Sequence, residues 1–200
     1  MNILKENKML LIKIRQAVEN KLKNHPLRLS HSLRVYRTAT KMARHYKKPL
    51  LPIQIAALFH DYNKNDSLEE QRIYLNKASI TKYQDTPAIF HALSAANCLK
   101  QNFNINNKII LNAIKKHVWG DVKMNYCDKI VFISDKIEPK RNFPQKLYFE
   151  KLAYLDIHRA AYEILKNNFE FFQKKGYPLP SNYQLILESL KKDIKKRKIL

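Results

Sequence analysis

Residues 50–64 read LLPIQIAALFHDYNK, and the fold class turns on them. Pro52 suits the first turn of a helix, where its missing N–H costs nothing. Ile53, Ile55, Ala56 and Phe59 then make the segment apolar on several sides, which predicts a short helix buried among others. Gln54 interrupts the run, which at seven residues (Ile53 to Phe59) is far too short to span a bilayer. It ends in His60-Asp61. Where a helix frays at such a pair, the adjacent imidazole and carboxylate can both turn toward one cluster.

Outward from this stretch the pattern stays helical. Leu11, Ile14, Val18 and Leu22 step by 3, 4 and 4 and predict a helix ending before Pro26. Val35, Ala39, Met42 and Tyr46 predict another, stopped near Pro49. Asp66 or Ser67 is read as the cap of a helix carrying Leu68, Ile73 and Leu75. Beyond Pro87 a helix places Ala95, Cys98 and Leu99 on one face, and residues 105–117 form the next through Ile110, Ala113 and Ile114. Asp128 is taken as the cap of a helix through Val131 and Ile137 that ends before Pro139. Residues 146–174 read as one long helix closed by Gly176, and 180–196 as the last. No strand-like alternation persists beyond a few residues. The expectation is an all-α chain.

Composition bounds the function. Two hundred residues fit one domain, and such a length buries roughly 70% of its unfolded surface without needing disulfides. Two glycines argue against a Rossmann fold, a P-loop or a hairpin-rich β protein. Cys98 and Cys127 stand apart, so no disulfide framework or zinc ribbon is expected. With Lys5, Lys8 and Lys13 spread through the N-terminal apolar residues, no leader is read there. A soluble, reduced, cytoplasmic protein without membrane or disulfide partners is expected. Thirty-eight Lys and Arg against seventeen Asp and Glu give a net charge of +21, which favours polyanions.

Seven histidines carry the sharper signal. His31 lies four residues before Val35 on the inward stripe of its helix. His91 precedes Ala95 by four and Cys98 by seven, and His117 extends the Ile110, Ala113, Ile114 stripe. Asp135 follows Val131 by four on the same side. Buried charge is expensive unless paired or metal-bound. Together with His60-Asp61 these residues predict a shared cluster of six N/O ligands, which favours two iron, manganese or similar ions over structural zinc. His25, His45 and His158 read as helix-entry, surface or core residues. The aromatic set Tyr148, Phe149, Tyr154, Phe169, Phe171 and Phe172 reads as helix packing, and the terminal KKDIKKRKIL as a solvated helix end.

The ordered set His31, His60-Asp61, His91, His117 and Asp135 resembles the HD-domain metal phosphohydrolases. Four words narrow the resemblance to the YqeK-type symmetrical dinucleoside tetraphosphatases: HDYNK (60–64), FHALSAA (90–96), KKHVWGD (115–121) and KIVFISDKIEPKRNFP (129–144). LDIHRAAYEIL (155–165) and GYPLPSNY (176–183) extend it over nearly the whole chain beyond residue 25. Three departures stand out. Ala92 to Ala96 replace the family's usual GPxGA after His91, Val118 and Trp119 replace hydroxyl residues, and Lys140 replaces a glycine. None removes a ligand.

The resemblance implies an HD-domain helical bundle over 25–200, with residues 1–24 as an N-terminal helix packed on it and a dinuclear metal site in the core. It implies Asp61 as the carboxylate shared between two ions, with iron the expected metal. His31, His60 and Asp135 complete one site, and His91 with His117 the other. The implied reaction is symmetrical hydrolysis of diadenosine tetraphosphate to two ADP by a metal-bridging hydroxide. Lys64, three residues after Asp61, is expected to act on the polyphosphate, with Arg141 and Arg28 as further phosphate contacts and Trp119 as a surface for adenine. Glu138 is read as either a partner behind the ligands or a plain salt-bridge residue. One alternative keeps the site for another nucleotide, a deoxynucleoside phosphate or a guanosine alarmone. The other is a basic helical nucleic-acid binder, which leaves the inward Asp135 unexplained and is disfavoured. Pairing with a second copy is left open.

Overall fold

In the computed structural model, residues 3–197 are described, and among them every regular element is helical. In chain order these are α1 (Ile3–Lys21), α2 (Pro26–His45), α3 (Leu50–Phe59), α4 (Leu68–Arg72) and α5 (Lys77–Lys82). After a 3-10 turn at Pro87–Ile89 follow α6 (Phe90–Phe103), α7 (Lys108–Lys116), α8 (Tyr126–Ile137), α9 (Lys146–Leu155), α10 (Ile157–Lys175) and α11 (Tyr183–Arg197). Residues 198–200, the end of the basic KKDIKKRKIL segment, lie outside the described residues.

The expected buried helix is α3. Ile53, Ile55, Ala56, Ala57, Leu58 and Phe59 are all buried, and α3 packs against α1, α2, α7 and α8. Neighbouring helices cover it with their stripes: Ile14, Val18 and Leu22 from α1, Val35, Ala39 and Met42 from α2, Ala113 and Ile114 from α7, and Ile130, Val131 and Ile133 from α8. A helix covered on several sides brings its own C-terminus into the interior. That is where His60-Asp61 falls.

Five local expectations are corrected. The helix read over 105–117 spans Lys108–Lys116, because Asn107 caps it. Residues 146–174 form two helices, because Asp156 takes an extended conformation and its carboxylate accepts from the backbone N–H of His158 and Arg159, opening α10. The cap of α8 is Asn125, not Asp128. Asp128 sits three positions on and returns a bond to the Asn125 N–H, so the two form a capping box. Of the two candidate caps Ser67 is the one used, in a second capping box with Glu70, but that helix stops at Arg72, short of Ile73 and Leu75. The last helix starts at Tyr183, not at 180. Gly176 closes α10 as expected, at φ +67°. Gly120 also has positive φ, +69°, and a Cβ there would meet Leu165 at 3.0 Å.

Candidate metal centre

Five chain segments deliver six side chains to one place. His31 comes from α2. His60 and Asp61 follow α3, His91 sits in the first turn of α6, His117 ends α7, and Asp135 lies on α8. All six are buried, none more than 6% exposed. After Phe59 the chain leaves the helix in successive tight turns, closed by Tyr62 N–H to Phe59 O and Lys64 N–H to Asp61 O. Those turns let two consecutive side chains face the same interior point.

Two triads bring their ligand atoms within 4.8 Å of one another: His31, His60 and Asp135, and His60, Asp61 and His117. His91 flanks the second, its Nε2 lying 3.2 Å from both Asp61 Oδ1 and His117 Nε2. The Asp61 carboxylate divides between the two sides. Its Oδ2 lies 3.5 Å from His60 and 3.7 Å from His31, while its Oδ1 faces His91 and, at 3.5 Å, His117. Its two oxygens thus face different pairs of histidines.

The outer nitrogens fix the rings. His60 and His117 each donate Nδ1–H to the carbonyl three residues earlier, Ala57 O at 2.8 Å and Ile114 O at 2.7 Å. Both carbonyls belong to the last turn of their helix. His31 donates Nδ1–H to Glu138 Oε1 at 3.2 Å. With Nδ1–H committed outward, each Nε2 presents a lone pair inward, and those of His31 and His60 face each other at 3.4 Å. Opposed lone pairs in a dry interior call for a cation between them. Four imidazoles, two carboxylates and no thiolate fit a divalent metal ion.

Electrostatics agree. Burial holds His60 down to about 3 and His91 to about 4, so both are neutral at neutral pH. Burial also works against the ionised forms of Asp61 and Asp135, but their neighbours win. His60, His117 and His91 hold Asp61 well below the usual carboxylate range, and Lys136, His31 and Arg141 do so for Asp135.

A ring of cations surrounds the cluster. Arg28 reaches Asp61 Oδ2 at 2.5 Å, Arg141 reaches Asp135 Oδ1 at 2.6 Å, Lys136 reaches Asp135 Oδ2 at 2.8 Å, and Lys64 Nζ lies 3.1 Å from His91 Nδ1. Lys64, Lys136 and Arg141 also line a cavity of about 840 Å³, whose wall includes Trp119, Phe143 and Phe172. Trp119 is only 4% exposed and packs edge-on against Phe172 and Tyr183. It belongs to the wall more than to any open face. Sequence reasoning missed Lys136 and Arg34. Lys136 had a signal, adjacency to Asp135; Arg34, one turn beyond His31, bonds Glu138 at 2.5 Å. His25 and His45 are exposed, as expected. His158 is buried away from the cluster and accepts from Lys129 Nζ at 2.8 Å.

A helical bundle closed over a buried histidine–aspartate cluster of this order defines an HD-domain protein. The chain belongs to that family, whose model, described as HD domain, matches residues 28–140. Within it, the chain is 30% identical over 165 residues to the symmetrical bis(5'-nucleosyl)-tetraphosphatase of Bacillus subtilis, covering 82% of this chain and 88% of that protein. It is 32% identical over 182 residues to the protein of the same name from Halalkalibacterium halodurans, covering 86% and 95%. A crystal structure from Clostridium acetobutylicum, described as a predicted HD superfamily hydrolase involved in NAD metabolism, superposes with a TM-score of 0.81 at 28% identity, over 90% of this chain and 96% of that one. The resemblance read from the sequence words is borne out over most of the chain.

Proposed function

We propose that this chain is a metal-dependent hydrolase that splits diadenosine tetraphosphate, with one water, into two ADP. The observation that carries the reading is the buried cluster itself, in a chain whose relatives of near-full-length match are named for symmetrical cleavage of bis(5'-nucleosyl) tetraphosphates. Two ions, iron or manganese by donor type, would be held by His31, His60 and Asp135 on one side and by His91 and His117 on the other, with Asp61 between. Such a pair supplies an ionised water at neutral pH and neutralises charge on a phosphoryl oxygen.

The chain's own groups do the rest. The water oxygen ends on one inner phosphorus, and the bridge between the two inner phosphates breaks. Arg28, Lys64, Lys136 and Arg141 form a cationic collar suited to the roughly four negative charges of the substrate. The cavity beside the collar has the aromatic wall and the size for one nucleoside half. No described helix is long and apolar enough to cross a membrane. Cys98 and Cys127 are free thiols, in keeping with work in a reducing cytoplasm.

The test is substitution at the shared pair. His60→Ala and Asp61→Ala are expected to abolish turnover with added iron or manganese and to lose bound metal, while far-UV circular dichroism stays helical. Activity retained in either variant sinks the mechanism.

A further inference from the structure

Among the four clustered imidazoles, His91 stands apart. His31, His60 and His117 each direct Nδ1 at an acceptor: a carboxylate, a carbonyl and a carbonyl. His91 Nδ1 meets the Lys64 ammonium at 3.1 Å. An ammonium only donates. His91 therefore accepts on Nδ1 and carries its proton on Nε2, the nitrogen that faces Asp61 Oδ1 at 3.2 Å. An Nε2–H cannot ligate a metal, whereas the other three rings hold the ligating tautomer already.

Lys64 has a second place to go. It lines the cavity beside Arg141 and Lys136, where an anionic substrate would lie. The contact with His91 Nδ1 takes up one of the three N–H donors of the ammonium and so competes with a phosphate oxygen for the same cation. From this we infer that Lys64 is a positioning residue that couples the metal centre to the substrate pocket. While it holds His91, the ring is in the non-ligating tautomer. When His91 shifts its proton to Nδ1 to ligate, two donors oppose each other, and Lys64 is expelled toward the phosphates. Filling the His91 side of the centre thus delivers a cation to the substrate. The inference rests on reading the cluster as a metal centre.

The test reads the histidine tautomers directly. In full-length protein labelled with 15N-histidine and stripped of metal, two-bond 15N–1H correlations should show Nδ1–H for His31, His60 and His117 and Nε2–H for His91. Titration with Zn2+, a diamagnetic probe, should move the His91 proton to Nδ1. Lys64→Met should bind the second Zn2+ equivalent roughly tenfold more tightly, the scale of a hydrogen bond to a charged group. Lys136→Met removes the same charge and should leave the wild-type exchange at His91 intact. Nδ1–H at His91 before zinc, Nε2–H at saturation, or unchanged zinc affinity in Lys64→Met each overturn the proposal. Failure of any zinc to bind would overturn the metal centre as well. A tautomer exchange in a protein inert toward diadenosine tetraphosphate would overturn only the proposed substrate.

Discussion

The Glu138 carboxylate lies 3.2 Å from Nδ1 of His31, a contact that spans 107 residues of sequence. Glu138 is itself gripped by Arg34 Nε at 2.5 Å and by the Lys140 backbone N–H at 2.8 Å. Burial disfavours its charge, yet Arg34, the Lys140 N–H and His31 together hold the carboxyl below its ordinary range. An ionised, fixed Glu138 keeps the His31 proton on Nδ1 and its Nε2 lone pair inward.

Replacing that carboxylate should therefore weaken the metal centre without touching a ligand. Glu138→Gln is expected to lower affinity for Mn2+ roughly 10- to 100-fold. Isothermal titration would measure it, with helical content unchanged. Affinity within twofold of wild type would show that Glu138 is only a salt-bridge residue.

Acid should destabilise the metal-stripped chain early. Burial lowers His60 to about 3 and His91 to about 4 from 6.5. On unfolding both return toward 6.5, so between those values the unfolded chain binds protons that the folded one refuses. Their contribution is constant above about pH 6.5 and falls steadily below it. Asp61 and Asp135, held below 3.8 in the fold, add to the loss at more acid pH. Thermal unfolding in EDTA should give a level Tm above about pH 7 and a falling one toward pH 5. A flat Tm across that range would contradict these shifts.

The thiols should be silent in the folded protein. Burial, then the Asp128 charge, pushes Cys127 up to about 11, and burial raises Cys98 as well. At pH near 8 a thiol of that kind is thiolate on the order of one part in a thousand. Ellman's reagent should label neither cysteine quickly in native protein and both in guanidinium. Rapid native labelling would show that one of them is reachable and ionised.

Phe59, the last residue before His60, is fully buried. Its ring stacks on Tyr62 with centroids 4.0 Å apart and meets Phe103 edge-on at 5.4 Å. Phe59→Ala should cost about 3–5 kcal/mol in urea unfolding, since α3 is covered by its neighbours and cannot collapse into the cavity freely. A loss under about 1 kcal/mol would mean that α3 is not the centre of the core.

His31, His91, His117 and Asp135 were legible because helical periodicity turns them inward, and His60-Asp61 because the pair closes a buried helix; inward imidazoles and carboxylates have few explanations. The fold class followed from the same stripes. What stayed hidden was set by single polar residues or by long-range pairs. Asp156 breaks an otherwise continuous helical run by capping the next helix, a role that its place within LDIH suggests only in hindsight. α5 buries no residue and so has no stripe to read; Asn76 caps it. Glu138 is indistinguishable from a surface acid until α2 and α8 are side by side. Lys129, 1% exposed, bonds His158 and Asp193 across α8, α10 and α11, and no local pattern announces such a buried lysine. The +21 charge looked like a nucleic-acid signature, but the cations that meet the cluster are few: Arg28, Lys64, Lys136 and Arg141.

The central claim is symmetrical cleavage at a metal centre, and the products report on it directly. Purified protein loaded with Mn2+ or Fe2+ would be incubated with diadenosine tetraphosphate and the nucleotides separated by ion-exchange chromatography. The account predicts ADP as the sole product, two per substrate, with no turnover after EDTA. AMP with ATP, release of orthophosphate, or full activity in EDTA would contradict it.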